Sequence, residues 1–464
     1  MKASAADAFV NVARAGRAGM GRLSNPGAPA GSTAPSASER TTRRAAWPIW
    51  LITVGTAPAM LFGLHGLAWT LPAVVFGTRM LAHRETLYSW SSVPLIGLVL
   101  WIPLSISVIP PSGIPLFTYR WLLFAGCLTT FVWLVNVSEE AVPSERIVRW
   151  LAGLWITLVV FGYLATIFPS LIMASPLGVA LGPVGNIEFV ARITEWRFSE
   201  THQFMGYPVP RPAAPFGSAN SWGSAMGILT PFFVYSWIVH ASPRRRRVGV
   251  ILGLIGIYPI LVSVNRGLWL SLIVGSAYFA ARKAIRGRFG ALAVLMAGVV
   301  VLAALFVITP AGGLVTDRLD NSEKSNSARS SLYERAWQGA QESPLVGNGA
   351  PVYAEDLPEG TPPVGTHGLI WYLMFIHGFV ALAFFMVWLA IEVFRSGLLT
   401  SQLSWWIHLS LVATVVQMPY YGLLPHLVLV GIAVGLAHRE AARPLDKVTD
   451  ARVGHPGTHG ETSR

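Results

Sequence analysis

The chain has 464 residues, of which 53% are hydrophobic and 12% charged, and its formal net charge is +12. Because soluble domains carry about 25% charged residues, this composition excludes a series of ordinary soluble domains. Several apolar runs approach the roughly 20 residues that cross a hydrocarbon core of about 30 Å. The basic residues lie in short segments between these runs, which indicates a membrane topology signal and argues against a nucleic-acid partner.

The two ends of the chain differ from the apolar middle. Residues 1–46 are rich in Ala, Gly, Ser, Pro and Arg and contain no apolar run, so they cannot bury enough surface to become ordered. They also lack the apolar stretch of a secretory signal. We predict disordered cytoplasmic tails at 1–46 and 438–464, and one transmembrane domain at 47–437.

The apolar runs predict an all-α polytopic membrane protein with about twelve transmembrane helices. The first two spans form one block, divided at residues 63–65, and the last two are separated near residues 417–419. In chain order the predicted spans are 47–63, 64–82, 91–109, 119–137, 149–170, 222–240, 248–264, 267–281, 290–308, 368–394, 403–417 and 420–437.

The distribution of Lys and Arg sets the orientation of these spans. With the N-terminus in the cytoplasm, 25 of the 34 basic residues fall inside and 9 outside. Cytoplasmic loops carry the excess of basic residues, so both termini are predicted to be cytoplasmic. The basic runs at 244–247 and 282–288 would both move outside if a single helix before residue 241 were miscounted.

Two predicted outer segments, 171–221 and 309–366, are long, and loops of this size are uncommon unless they are functional. The second contains a predicted amphipathic helix, which Asn326 or Ser327 caps and Pro344 follows. One face of this helix is predicted to consist of Ser330, Leu332, Tyr333, Ala336, Trp337 and Ala340.

Acidic residues are scarce where ion transport or metal binding would need them. No Asp or Glu lies in the middle of a predicted span, whereas ion-coupled transporters commonly use such groups. Asp317, Asp320, Glu355 and Asp356 could offer oxygen ligands to a divalent cation, but acidic residues in loops are usually solvated. We therefore predict that the protein uses no metal and no cofactor.

Arg266 is the only charge in a tight outer turn between two apolar spans. A guanidinium close to the membrane is costly unless an anion or carbonyl groups pair with it. The alternative is an arginine that extends its charged head to the interface. The turn is too short to carry the charge far from the membrane surface, which favours a function.

Arg211, Arg329 and Arg335 also lie on the predicted outer side, although each could be a solvated surface residue. His367 begins the tenth span at the same interface, where a neutral imidazole can accept a proton from a hydroxyl group. An interfacial histidine with a satisfied hydrogen bond is the alternative. Together these residues suggest an anion site beside a base, and guanidinium groups favour phosphate as the anion.

Four short segments between residues 205 and 395 carry a family resemblance. They are Arg211-Pro-Ala-Ala-Pro-Phe-Gly-Ser-Ala-Asn220, Val264-Asn-Arg-Gly-Leu-Trp269, Arg329-Ser-Ser-Leu-Tyr333 followed by Pro344-Leu-Val-Gly-Asn-Gly349, and Thr366-His-Gly368. In order, spacing and predicted outward position they resemble the O-antigen ligase and polymerase family of polysaccharide-assembly membrane enzymes.

Three positions depart from the motifs of that family. Asn265 stands where the family has Ser, Tyr333 where it has Trp, and Gly368 where it has Asn. The last change removes an amide beside the histidine that could orient a substrate.

The resemblance implies a GT-C-like fold and a glycan donor on undecaprenyl pyrophosphate, with metal-independent, inverting transfer to an acceptor hydroxyl. It implies that Arg211, Arg266 and Arg329 bind the pyrophosphate, and that His367 and Arg266 take part in catalysis. The candidate set further includes Arg335, Asn220 and Tyr333.

The resemblance also implies the partners and the location. The partners would be the lipid-linked glycan, a glycan or glycolipid acceptor and membrane lipids, with the site on the extracytoplasmic face of the cytoplasmic membrane. Two alternatives remain open, a polymerase of the same family that extends a lipid-linked glycan, and a transporter of lipid-linked glycans. The nearly uncharged centres of the predicted spans favour an enzyme.

The partition of basic residues predicts the result of a reporter-fusion experiment. Fusions at Arg245 and Arg286 should report a cytoplasmic position, and fusions at Glu195 and Glu342 an external one. If the fusions at Glu195 and Glu342 reported opposite sides, the span count would be wrong and a shared outer site would be excluded.

Overall fold

The structure is a computed structural model. It describes residues 46–83, 85–202, 208–293, 295–298, 322–353 and 362–443, with the backbone alone for His202 and residues 322–328. The predicted tails lie outside the described residues, apart from residue 46 and residues 438–443. The four acidic residues of the second outer loop, at 317, 320, 355 and 356, and most of the predicted span 290–308 also lie outside them.

Helices dominate the described part of the chain, and they alternate with short strands only between residues 172 and 212. The helices are α1 Trp47–Thr53, α2 Thr56–Phe62, α3 His65–Ala68, α4 Leu71–Ala82, α5 Val93–Trp101, α6 Ile114–Asn136, α7 Ser144–Ile167, α8 Pro176–Ala180, α9 Glu188–Thr194, α10 Ala219–Val234, α11 Pro243–Val262, α12 Arg266–Ala284, α13 Ser322–Glu342, α14 Leu369–Leu398, α15 Gln402–Gln417 and α16 Leu427–Ala441. The strands are β1 Ile172–Met173, β2 Trp196–Arg197, β3 Ser199–His202 and β4 Val209–Pro212.

Five helical segments in the described residues are long and apolar enough to cross a membrane. Some of them include the 3₁₀ or π turns that adjoin an α-helix. They are Trp90–Val108, Pro111–Asn136, Ser144–Ile167, Ala219–Val239 and Leu369–Leu398. The all-α membrane class is confirmed, whereas the count of twelve spans is not.

The N-terminal apolar block is divided more finely than predicted. Gly63 ends α2 with a φ of 79°, and α3 begins at His65, so the predicted break lies at a helix end. A β-carbon on Gly63 would lie 1.9 Å from Ser175 Oγ, which shows how closely the outer loop approaches this turn. In place of two long helices the block contains the four short helices α1 to α4.

The central helices pack through small residues. Helix α6 packs against α4 and α16, and α10 packs against α7 and α15. A β-carbon on Gly431 of α16 would lie 2.4 Å from the carbonyl oxygen of Cys127 in α6, so the glycine permits close helix contact. Cys127 is buried at this contact.

The first predicted outer segment, 171–221, contains two pairs of short strands. Strands β1 and β2 form one antiparallel pair and β3 and β4 another. In the second pair Glu200 lies directly opposite Arg211. Strands of two to four residues give too short an alternation to be recognised in the sequence.

The predicted outer helix exists as α13, but it begins at Ser322 and not at Asn326 or Ser327. Several residues of this polar stretch are suitable caps, so the sequence could not fix the start. The inward face is correct for Leu332, Ala336 and Ala340, which are buried. Ser330 and Trp337 are exposed, although the Trp337 ring still contacts Phe379 of α14 edge-on, with the ring centroids 5.5 Å apart.

Helix α14 is broken at Gly378, where φ is 81° and ψ is 173°. The segment 344–349 fills the break. Pro344 O accepts a hydrogen bond from Phe379 N at 2.8 Å, and Asn348 N donates to Phe375 O at 2.9 Å. Backbone groups freed inside a membrane helix need such partners. The motif that connects α13 to α14 therefore completes the hydrogen bonding of α14.

Gly347 makes this insertion possible, and its replacement tests the role of the segment. Its φ is 68°, and a β-carbon would lie 2.4 Å from the Ile376 carbonyl carbon. Gly347→Ala should destabilise the protein by about 1–3 kcal/mol more than Gly182→Ala. Gly182 is the matched control, since its φ is 54° and no atom would lie within 4 Å of the new β-carbon.

Thermal unfolding of the two variants in detergent measures the difference. Equal shifts of the unfolding temperature would contradict the insertion of this segment into α14.

Candidate functional site

The N-terminus of α12 is fixed to the N-terminus of α10 by one side chain. Asn265 Oδ1 accepts a hydrogen bond from Leu268 N at 2.9 Å, and Asn265 Nδ2 donates to Ala219 O at 3.2 Å. Asn and Ser are both good N-cap residues, which explains how Asn265 replaces the serine of the family motif. Arg266 is thereby the first residue of α12.

Arg211 reaches this point from the outer strand pair. Its side chain is buried, with a relative exposure of 5%. Arg211 Nε donates to Ser263 O at 2.5 Å, and Nη2 donates to Asn220 Oδ1 at 3.3 Å. The structure thus brings two predicted site residues, Arg211 and Asn220, into contact at the start of α12.

Tyr421 also lies at the start of α12, although the sequence analysis did not indicate it as a site residue. Its hydroxyl oxygen accepts a hydrogen bond from Gly267 N at 2.9 Å, and a β-carbon on Gly267 would lie 2.1 Å from its ring. Its carbonyl accepts from Leu369 N at 2.8 Å. Tyr421 therefore joins the start of α12 to the start of α14.

Gly368, another of the three departures from the family motifs, is favoured by the backbone conformation. Its φ is 92° and its ψ is 138°, a conformation that only glycine adopts easily. A β-carbon would lie 2.3 Å from Pro419 O. Glycine is thus needed to place His367 next to the turn that carries Tyr421.

Tyr333 holds α13 over this turn. Its ring stacks on Trp371 with centroids 4.5 Å apart and an angle of 11°, and Trp371 Nε1 donates to Pro419 O at 3.2 Å. An aromatic ring is the feature that this position shares with the family's Trp. Arg329 lies one helical turn before Tyr333, so the stacking directs it toward the other arginines.

The charges of the three predicted arginines interact. Burial, then the charges of Arg329 and Arg266, lower the pKa of Arg211, while Tyr421 and Glu200 oppose the shift. Burial and the charge of Arg329 likewise lower the pKa of Arg266. Three guanidinium groups therefore share one partly buried region. Among the described groups that act on Arg211, Glu200 is the one carboxylate.

His367 lies beside this group in the neutral state. Thr366 Oγ1 donates its proton to Pro363 O at 2.7 Å, so at 3.1 Å it accepts from His367 Nδ1. This arrangement assigns the proton to Nδ1 and leaves a lone pair on Nε2. Burial, and then the charge of Arg329, lower the pKa of His367 to about 4.

Arg335 lies six residues after Arg329 on α13, and the sequence already predicts a different face for it. Six residues correspond to about 600° of helix rotation, which places the two side chains on different sides. The charged groups that shift the pKa of Arg211, Arg266 and His367 do not include Arg335. Arg335 is the predicted residue that the described interactions do not bring into the cluster.

Sequence reasoning missed Tyr421 and Glu200. Tyr421 lies at the start of the last predicted span, two residues after Pro419, and this end of the span is on the same predicted side as His367. That position was the available signal. Glu200 faces Arg211 only because two short strands pair, which no local pattern revealed.

Residues 249–386 match the family whose description is O-Antigen ligase. The resemblance to this family is confirmed over that segment. The matched residues include Arg266, Arg329 and His367, and Arg211 precedes them. A comparison with curated proteins finds no match. The family match over this segment and the apolar helices support a membrane protein of polysaccharide biosynthesis.

The geometry of the O-antigen ligase segment predicts how His367 titrates. His367 should remain neutral down to a pH of about 4, because burial and Arg329 disfavour its charged form. Arg329→Gln removes the second cause, so the pKa should rise but stay below its ordinary value.

Nitrogen-15 NMR of histidine-labelled protein measures the pKa, and the His367→Gln variant assigns the signal. Arg192→Gln is the matched control, since Arg192 is exposed and pairs with Glu188 in the same outer segment. A His367 pKa that did not change in Arg329→Gln would show that the two side chains are apart.

Proposed function

We propose that the protein transfers a glycan from undecaprenyl pyrophosphate to an acceptor hydroxyl on the outer face of the cytoplasmic membrane, without a metal and with inversion. The observation that carries this proposal is the convergence of Arg211, Arg266 and Arg329 at the N-terminus of α12, with neutral His367 beside them. The family match supports a glycosyltransferase or ligase reaction.

The arginine cluster has the properties of a pyrophosphate site. Guanidinium groups bind phosphate oxygens in pairs, and the N-terminus of a helix favours anions. A doubly charged diphosphate would relieve the repulsion that lowers the pKa of Arg211 and Arg266. In the transition state, negative charge grows on the oxygen between glycan and phosphorus, and arginines placed there stabilise it.

His367 can serve as the base for the acceptor. The acceptor oxygen forms a bond to the anomeric carbon as the bond from that carbon to the pyrophosphate oxygen breaks. The pyrophosphate takes the bonding electron pair, and Nε2 of His367 takes the hydroxyl proton. Attack on the face opposite the leaving group inverts the anomeric centre. An anion bound at Arg329 would also raise the low basicity of His367.

The length of α12 agrees with a site on one face of the membrane. Arg266 begins the helix and Arg282 and Lys283 lie in its last turn. Nineteen residues span about 28 Å, close to the thickness of the hydrocarbon core. With the basic run 282–288 in the cytoplasm, the arginine cluster would lie on the outer surface.

A polymerase of the same family would use the same donor site and differ in its acceptor, another lipid-linked glycan. A transporter is less well supported. It would need charged groups along its path through the membrane, whereas Arg211, Arg266 and Arg329 share one end of the bundle.

The proposed mechanism predicts resistance to chelators. Among the described residues, no group of three or more His, Cys, Asp or Glu side chains is placed to hold a metal ion. Transfer from a defined lipid-linked glycan should continue in excess chelator, because the arginines supply the positive charge. Loss of transfer in chelator and its return with magnesium or manganese would contradict a mechanism based on arginines alone.

Substitutions separate the roles of the arginines and the histidine. Arg266→Ala should lower single-turnover transfer by about a hundredfold. Arg266→Lys keeps the charge but loses the planar pair of donors, so it should still lower transfer by roughly tenfold or more. The same substitutions at Arg211 and Arg329 should lower single-turnover transfer to a similar extent. Arg192 is an exposed residue of the first predicted outer segment, so Arg192→Ala and Arg192→Lys are the matched controls.

His367→Ala should behave differently from the arginine variants. The His367→Ala variant should bind the lipid-linked donor normally. Its transfer should be slower by about 10²–10⁴-fold, because His367 acts on the acceptor proton. Donor binding and single-turnover transfer, measured on folded protein, distinguish the two effects. Normal transfer in His367→Ala would reduce this residue to an interfacial anchor. Normal donor binding and transfer in all three arginine variants would favour the transporter.

A further inference from the structure

A second group of basic residues lies at the opposite end of α12. A cavity of about 720 Å³ opens there between the end of α12 and the start of α15. None of the described residues that line it is acidic. They include Phe279, Lys283, Arg286, Arg288, Trp405 and Trp406.

Three cations surround one indole ring at this cavity. The guanidinium carbons of Arg282 and Arg286 lie 4.6 Å and 4.4 Å from the centre of the Trp405 ring, and Lys283 Nζ lies 4.7 Å from it. The ring attracts each cation but carries no net charge, so it holds them together without neutralising them.

The cations have few anionic partners nearby. Arg282 donates to the carbonyl of Gly397 and to Tyr278 Oη, which are neutral groups. Burial and the charges of Arg288 and Arg286 lower the pKa of Lys283. Glu440, which reaches Ser401 at the edge of the cavity, already pairs with Arg443 at 2.6 Å. The acidic residues in the described part of the chain therefore leave positive charge in the cavity uncompensated.

The surroundings of the cavity are those of a membrane interface. Ile285 and Phe289 are 86% and 63% exposed beside the basic residues, and Trp405 and Trp406 form part of the wall. Tryptophan favours the level of the lipid headgroups, and exposed apolar side chains favour the acyl chains beneath. Helix α15, with its N-cap Ser401, also directs its positive end toward the cavity.

We propose that this cavity binds the phosphate headgroup of an anionic membrane phospholipid. Arg286, Arg288 and Lys283 contact the phosphate, Trp405 and Phe279 hold the glycerol region, and the acyl chains lie along the exposed apolar residues. Basic pockets between transmembrane helices are suited to such headgroups. The site is separate from the proposed donor site, since the length of α12 lies between them.

The test is binding of dioleoyl phosphatidylglycerol to the purified full chain in a neutral detergent, measured by native mass spectrometry. The double variant Lys283→Gln with Arg286→Gln should bind at least about tenfold more weakly. Arg288→Gln should bind about threefold more weakly, and serves as the milder variant. Unchanged thermal unfolding in the absence of lipid shows that the variants are folded.

The matched control is Arg244→Gln with Arg247→Gln. It removes the same charge from exposed residues at the start of α11, in the other long basic run that is predicted to be cytoplasmic. Binding within about twofold of the unmodified protein is expected for this control. An equal loss in both double variants would show general surface attraction and overturn the proposal.

The nature of the ligand is tested with two further probes. Dioleoyl phosphatidylcholine, whose headgroup has no net charge, should bind much more weakly than phosphatidylglycerol. Inorganic phosphate should compete only at far higher concentration, because it lacks the acyl chains. Equal binding of phosphatidylcholine, or equal affinity for inorganic phosphate, would overturn the assignment to an anionic phospholipid.

Discussion

The mutual repulsion of three guanidinium groups is the constraint on which the site depends. Arg211, Arg266 and Arg329 come from a strand, a helix start and an outer helix, and their charges act on one another. Such a group stays together only where a rigid scaffold holds it, and here Ser263 O, Asn220 and Glu200 act on Arg211. The remaining positive charge supports the proposal that the site binds an anion.

The motif residues without chemistry of their own supply that scaffold. The segment 344–349 completes the hydrogen bonds of the broken helix α14 and fixes the end of α13. Tyr333 stacks on Trp371 and fixes the same helix near its middle. A change in either contact would move Arg329 relative to Arg211 and Arg266, even though neither contact involves a charge.

The three departures from the family motifs leave this scaffold intact. Asn265 caps α12 as a serine would and adds a hydrogen bond to Ala219. Tyr333 keeps the aromatic contact, and Gly368 adopts a backbone conformation that a larger residue could not. Changes in motif residues are tolerated where the backbone geometry and the contact are preserved.

Apolar runs and isolated charges are local signals, so the sequence was sufficient to predict the membrane class, the break near residue 63, the buried positions Leu332, Ala336 and Ala340 of α13, and the candidates Arg211, Arg266, Arg329 and His367. The positions of Tyr421 and Glu200 beside these residues, the short N-terminal helices and the start of α13 at Ser322 became apparent in the three-dimensional structure. Those features depend on strand pairing, on turns at glycines and on contacts between distant segments. A local pattern of hydrophobic and charged residues does not encode such contacts, since their energy comes from partners far away in the chain.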